Sequence, residues 1–229
     1  MIHIDIVSDT VCPWCYIGKR RLEKALSLRP NIAFHLGWRP FQLNPDMPRD
    51  GMTRDQYLSV KFGGPSRAQR VYEHVGAAGL DEGLEFNFNA IARQPNTFDS
   101  HRLIRWASAA HVQDRVVEAL FAGYFMRGKD IGERSVLIEI AGDCGMDRDL
   151  VKHLFERDAD RDLVMAEEGV SRRMGIAGVP CFIVDRKYAV SGAQDASVLT
   201  QVFDLALKDQ SGAPIPLEAV QAAEEAAGV

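Results

Sequence analysis

Charge of one sign, long apolar runs and cysteine are all scarce in this chain, and each scarcity closes off a class of protein. Lys and Arg number 27 against 32 Asp and Glu, a formal net charge of −5 over 229 residues. With no basic run of useful length, neither a nucleic acid nor an anionic membrane surface is an expected partner. No apolar stretch approaches the roughly twenty residues that a bilayer-spanning helix needs. The N-terminus shows no basic segment followed by an apolar core, because Asp5 and Asp9 interrupt it and a strand pattern begins at once, so a cytoplasmic location is expected. Only four cysteines are present, and in a reducing compartment they fit catalysis better than a disulfide framework. Nor is there an internal repeat or a low-complexity segment, apart from an Ala/Glu-rich tail that reads as a short terminal helix. What remains, 46% hydrophobic and 26% charged, is an ordinary globular composition, long enough for one large domain or a domain with a sizeable insertion.

Two of the cysteines are spaced as Cys12-Pro13-Trp14-Cys15, a few residues after the β-branched run Ile2 to Val7 and at the opening of a helical stretch from Tyr16 to Leu28. A thiol at a helix N-terminus meets unpaired backbone N–H groups and the positive end of the helix dipole, both of which favour negative charge. Pro13 suits the first helical position, where its fixed φ is preorganised and its missing N–H costs no intrahelical bond. The pattern points to thiol–disulfide chemistry, with the side chains of the turn reaching the surface. A zinc site would need two further ligands, and only Cys144, Cys181 and the six scattered histidines remain, none in a second C-x-x-C or an H-x-x-H, so no metal is expected.

Periodicity changes twice along the chain. Residues 2 to 8 read as a buried strand, 13 to 29 as a helix and 31 to 38 as a second strand, a βαβ unit. A connector with Pro40, Pro45 and Pro48 follows, and then the pattern is helical for more than a hundred residues. Thr53/Gln56 and Ser66/Gln69 have capping-box spacing, and Asn96-Thr97 can cap a further helix. Apolar stripes predict helices through Leu103 to Ala107 and Val116 to Tyr124, and then over 133–143, 147–157 and 160–174. The β signal returns as a hairpin, 181–184 and 188–190 across Asp185-Arg186-Lys187, before a closing helix from Ala196 to Lys208. βαβ, a helical block, then αββα describes an α/β thioredoxin-like fold, with residues 1–50 and 160–229 forming the thioredoxin-like domain and 51–159 an inserted helical domain. Gly178-Val179-Pro180 stands immediately before the third strand, a place that proline tolerates. If the bond before Pro180 is cis, the loop faces the dithiol and leaves the backbone of Val179 free to pair with a peptide or glutathione; if trans, it merely starts an edge strand.

The segments Ser8-Asp9-Thr10-Val11-Cys12-Pro13-Trp14-Cys15-Tyr16-Ile17-Gly18, Ala92-Arg93-Gln94-Pro95-Asn96-Thr97, His101-Arg102-Leu103, Gly178-Val179-Pro180 and Tyr188-Ala189-Val190-Ser191-Gly192-Ala193-Gln194 resemble the FrnE-like branch of the DsbA family of thiol–disulfide oxidoreductases, over about residues 2 to 208. The resemblance implies Cys12 as attacking cysteine, Cys15 as resolving cysteine and Pro180 in cis. It also suggests a homodimer. That branch is similar to kappa-class glutathione transferases and 2-hydroxychromene-2-carboxylate isomerases, which put a serine where Cys12 stands and hold a glutathione thiolate with it. A glutathione-dependent isomerase or transferase is therefore the alternative function. Ala193-Gln194 replace the Ser-Asp pair that those enzymes use for the γ-glutamyl carboxylate, although Gln194 and free N–H groups at a helix start can still receive one.

No tightly bound cofactor is expected; glutathione enters as a co-substrate, and the partners are protein or low-molecular-weight thiols and disulfides. Trp14 brings no positive charge between the cysteines, so the couple should be a milder oxidant than one with histidine there, and Lys19 and Arg20 add to thiolate stability only if the helix brings them close. Trp14 and Phe41 are expected as apolar walls, and the segment Asn96 to Leu103 as a border of the cleft, His101 being either a hydrogen-bonded structural residue or a proton donor. Cys181 is either a third thiol near the site or a buried apolar residue on the far side of its strand, and Cys144 is expected to pack in the core.

Overall fold

Ile2, Ile4 and Ile6 alternate inward along the first strand, β1 (Ile2–Ser8), and are at most 1% exposed. β1 lies at the centre of a four-stranded mixed sheet in the computed structural model, which describes residues 1–210. It pairs in parallel with β2 (Phe34–Pro40), Ile2 opposite Phe34 and Ser8 opposite Pro40, and antiparallel with β5 (Cys181–Val184), Val7 opposite Cys181. β5 continues antiparallel into β6 (Tyr188–Ser191), for a strand order β2-β1-β5-β6. Asp185 and Arg186 both adopt left-handed φ, 51° and 58°, in the tight turn of this hairpin. β2 starts three residues later than the periodicity predicts, because Asn31 and Ile32 belong to the turn that closes the preceding helix, with Ile32 N–H donating to the Arg29 carbonyl at 3.0 Å. It also runs through Pro40, which an edge strand tolerates.

The two sheet faces carry different cores. Ile4, Ile6, Phe182 and Val184 meet helix α1 (Pro13–Ser27) through Tyr16, Ile17, Leu22 and Ala25, with the last helix, Ala196–Gln210, packed beside it. Val7, Cys181 and Ile183 turn the other way and enclose Phe41. The rest of the chain between β2 and β5 is mostly helical: α2 (Arg54–Phe62), α3 (Pro65–Asp81), α4 (Phe98–Ala109), α5 (Gln113–Phe125), α6 (Arg134–Asp143), α7 (Arg148–Glu156) and α8 (Arg161–Arg173). α8 returns to the sheet, its Arg172 guanidinium 4.4 Å from the centre of the Phe41 ring.

The capping box expected at Thr53 is complete: Gln56 N–H donates to Thr53 Oγ1 at 3.3 Å and Thr53 N–H to Gln56 Oε1 at 3.1 Å. The one expected at Ser66 is not formed. Pro65 takes the first helical position and Gly64, at φ 123°, the cap, which puts Ser66 inside the first turn, and Gln69 bonds Glu73 instead at 2.9 Å. A two-residue ladder, β3 (Met52–Thr53) against β4 (Arg93–Gln94), is too short to leave a periodic trace in the sequence. The Ala/Glu-rich tail lies outside the described residues.

Candidate active site

Cys12 occupies the cap position of α1, in extended conformation (φ −95°, ψ 111°), with Pro13 opening the helix as expected. Its N–H donates to the Asp9 carbonyl at 3.0 Å, and Cys15 N–H to the Cys12 carbonyl at 3.0 Å, so the β1–α1 turn is closed by backbone bonds on both sides of the first sulfur. The Val179–Pro180 bond is cis, and Cys12 Sγ lies 3.6 Å from the Val179 carbonyl oxygen, to which its thiol donates. The loop therefore faces the dithiol. That carbonyl is not free for a substrate while the thiol holds it, but the Val179 N–H has no partner among the described residues. Gly18 permits the approach. A Cβ there would stand 2.9 Å from Pro180 Cγ and 3.2 Å from Phe182 Cζ, closer than packed atoms allow, so Gly18→Ala should force α1 off the loop and cost about 1–3 kcal/mol by overpacking, read as a lower urea midpoint at unchanged slope.

Both thiols are free and buried, Cys12 at 4% and Cys15 at 1% exposure, which corrects the expectation that this turn brings Cys12 to the surface. The Val179 carbonyl meets its sulfur, and Trp14 leans away onto α3, its ring centre 5.7 Å from that of His74. Burial pushes the Cys15 thiol well above its ordinary pKa, and the neighbouring Cys12 sulfur adds to the rise. Cys15 is thus the thiol held protonated. An acid whose folded pKa is raised lends stability below its unfolded pKa and loses it as pH climbs toward the folded value. The reduced protein should lose stability above pH about 8.5, the ordinary thiol value, and Cys15→Ala should flatten part of that slope in denaturation curves taken from pH 7 upward.

Lys19 and Arg20 do not reach the thiols. Lys19, 3% exposed, is held by Glu23, Asp114 and Glu118, and Arg20 by Glu23 and Glu118, so both charges are committed to an acidic cluster shared with α5. Phe41 is not a cleft wall beside Trp14. The two rings belong to separate apolar clusters, and Phe41, 1% exposed, packs with Val7, Cys181 and Ile183 on the opposite face of the sheet. Cys181 shares that face, so strand alternation carries it away from Cys12, as the apolar reading of it requires. Cys144 caps the end of α6, 7% exposed.

His101 is buried, 3% exposed, with Nε2 3.1 Å from the Phe41 carbonyl oxygen and 3.5 Å from Asp9 Oδ1. The Phe41 carbonyl can only accept, so Nε2 carries the hydrogen and donates to it, as the hydrogen-bonded structural reading requires. Asn96 tethers its loop: Nδ2 donates to the Met47 carbonyl at 2.7 Å, and Oδ1 accepts from Phe98 N–H at 2.9 Å, opening α4 in place of a Thr97 cap. Its side chain lines a cavity of about 750 Å³ that contains no cysteine. Gln194 donates to the Ser191 carbonyl at 3.1 Å and makes no hydrogen bond to the dithiol among the described residues.

Asp9 is the residue here that sequence reasoning overlooked. It is 1% exposed; Oδ2 accepts Leu43 N–H at 2.8 Å while Oδ1 accepts no hydrogen bond among the described residues. Thr10 and Ser100 join their hydroxyls at 2.8 Å beside it, so the start of α4 does border the β1–α1 turn, through Ser100 and His101. Asp9 stood within the quoted motif, but its partner is 92 positions away and no local pattern signals the meeting.

A mixed sheet with a C-x-x-C at the head of the helix after β1, facing a cis-proline before β5, defines a thioredoxin-like α/β protein. The chain belongs to the DsbA-like thioredoxin domain family, whose model matches residues 3–204. A probable DsbA oxidoreductase from Streptomyces coelicolor is 33% identical, with 95% of this chain and 94% of that one superposed at a TM-score of 0.84. The uncharacterised protein YwbO of Bacillus subtilis (strain 168) is 24% identical over 210 residues, covering 91% of this chain and 97% of its own. The cytosolic disulfide reductase DsbM of Pseudomonas aeruginosa, solved with GSH, shares the fold at 16% identity and a TM-score of 0.59, over 91% of this chain and 98% of that one. Among the described residues no helix is long and apolar enough to cross a membrane.

Proposed function

We propose that this protein is a thiol–disulfide oxidoreductase acting through Cys12 and Cys15. The observation that carries the reading is the pairing of two free thiols in unlike settings. Cys12 caps the helix and touches the cis-proline loop, while Cys15, one turn deeper, is held as the neutral thiol. Cys12 thiolate attacks a substrate disulfide, forming a Cys12–substrate S–S bond and releasing one substrate thiolate. Cys15, on losing its proton, attacks Cys12 Sγ, forms the Cys12–Cys15 disulfide and releases the second. Two electrons pass from the dithiol to the substrate, and the two protons end on the substrate thiols; the reverse sequence oxidises a dithiol. The Val179 N–H, without a partner among the described residues, can donate to a backbone carbonyl of an extended peptide or of glutathione beside the sulfur, and the Val179 carbonyl can accept once Cys12 releases it.

The partners of this reading are protein or low-molecular-weight disulfides, with glutathione as a co-substrate, and the helical segment 51–159 is the part that selects among them. Family membership and the oxidoreductase relative from S. coelicolor support it. Glutathione-dependent isomerisation would leave Cys15 without a role. The test is to equilibrate the protein in glutathione redox buffers and to assay insulin reduction beside glutathione-dependent isomerisation of an aromatic substrate. A two-electron titration with insulin turnover is expected, and a redox-silent dithiol with isomerase activity would replace this reading by the other.

A further inference from the structure

Charges withdrawn from water are normally paired, because the desolvation cost of an unpaired ion is severe. Arg20, Arg21, Arg29, Arg93, Arg102, Arg105 and Arg134 obey this rule: each is partly or wholly buried and each has a carboxylate oxygen at 3.4 Å or closer. Arg54 is also half-buried, and it has no ion-pair partner among the described residues. Its guanidinium stands over the ring of Tyr72 at 4.7 Å and that of Tyr57 at 5.8 Å, and Nη1 makes one long bond to Gln94 Oε1 at 3.3 Å. The rings cannot serve as counter-ions. Burial keeps both phenols neutral, Tyr57 pushed up to about 12 and Tyr72 raised in the same direction. The faces of the guanidinium are thus occupied by rings; Gln94 Oε1 and the Tyr72 phenol oxygen each take a donor, and the other N–H groups have no partner among the described residues, an edge that carboxylates match with two parallel bonds.

Arg54 opens into a cavity of about 770 Å³ between α2, α3 and residues 86–92. Leu58, Tyr72, Phe86, Phe88 and Ile91 supply apolar and aromatic walls, and no cysteine lines it. A concave, mostly apolar site with one convergent charge is the usual form of a small-molecule pocket. Asp55 and Glu73 stand at its rim. Both are solvent-exposed, where their fields are screened, and Glu73 already accepts from Gln69 at 2.9 Å. Those two carboxylates disfavour a dianion more than a monoanion.

We propose that this cavity is a binding site for a monocarboxylate carried on an apolar body, with Arg54 as its anchor. The site is separate from the dithiol and does not depend on the redox reading above. Calorimetric titration of the reduced protein with 4-phenylbutyrate should show saturable 1:1 binding. Arg54→Gln should weaken it at least tenfold, the uncharged 4-phenylbutyramide should bind wild type no better than the carboxylate binds the variant, and phenylphosphonate dianion should bind more weakly than phenylbutyrate. A Cys12→Ser/Cys15→Ser double variant should bind as wild type does. In wild-type protein, backbone amide shifts on adding phenylbutyrate should cluster at residues 54–58, 72–76 and 86–92, a readout that does not require Arg54→Gln to fold. Absence of saturable binding, equal affinity for carboxylate and amide, shifts centred elsewhere, or loss of binding in the double-serine variant would each overturn the proposal.

Discussion

Cys12→Ser should abolish disulfide exchange, while Cys15→Ser should retain attack and accumulate covalent adducts on Cys12. The asymmetry follows from position. Cys12 caps α1 and meets the Val179 carbonyl of the opposing loop, where a substrate arrives, whereas Cys15 is 1% exposed with its thiol pushed up by burial. A mixed disulfide formed on Cys12 is resolved only by a second thiol within reach, and Cys181 sits on the other face of the sheet. Intact-mass spectra after incubation with glutathione disulfide should show an added glutathione in Cys15→Ser and none in Cys12→Ser. Adducts in the reverse pair of variants would exchange the two roles. Because Cys12 is only 4% exposed and its sulfur meets the Val179 carbonyl, a bulky protein disulfide must displace the Val179–Pro180 loop to reach it, so glutathione disulfide should react the more readily of the two.

Arg102→Ala should be among the most damaging single changes outside the dithiol, about 3–5 kcal/mol, the cost of removing one member of a buried ion pair. Arg102 is 0% exposed. Its guanidinium donates to Asp99 Oδ1 at 2.6 Å, to the Ala159 carbonyl at 2.8 Å and to the Leu154 carbonyl at 3.1 Å, and lies between the rings of Trp106 and Phe155 at 5.0 and 5.3 Å. Asp99 is shared with Arg134, which holds the Phe155 carbonyl at 2.8 Å, so one guanidinium joins α4 to the end of α7 and the turn into α8. Truncation leaves a carboxylate and two carbonyls short of a donor around a cavity. Arg102→Lys should recover only part of the loss, since an ammonium cannot present the planar fork. Urea midpoints with slopes check it, and a loss below about 1 kcal/mol would mean that water replaces the guanidinium, as it does at exposed pairs.

Much of the scaffold was legible because it is locally encoded. The β-branched alternation of Ile2, Ile4 and Ile6, the proline after Cys12 and the Thr53–Gln56 box each fix geometry within a few residues, and each stands where it was expected. Ser66 failed because two capping patterns competed within four residues and Pro65 prevailed. Phe41 and Trp14 looked alike as aromatics near the motif, but Trp14 sits in α1 and Phe41 just past the end of β2, and only the packing of helices on the two sheet faces decides which core each joins. His101 was open between two roles until the Phe41 carbonyl and Asp9, each brought by a different element, appeared at its Nε2.

By itself, then, the sequence determined the thioredoxin-like α/β order, the place of Cys12 at the head of α1 and the stand of Pro180 before β5, since turn chemistry and periodicity act over neighbours in the chain. The tertiary structure alone decided that Cys12 is covered, that Lys19 and Arg20 are taken by Glu118 of α5, that Cys181 turns from the site, and that Arg54 has no counter-ion among the described residues. Long side chains and buried charges take their partners from whatever packing brings within a few ångströms, and those partners lie tens of residues away.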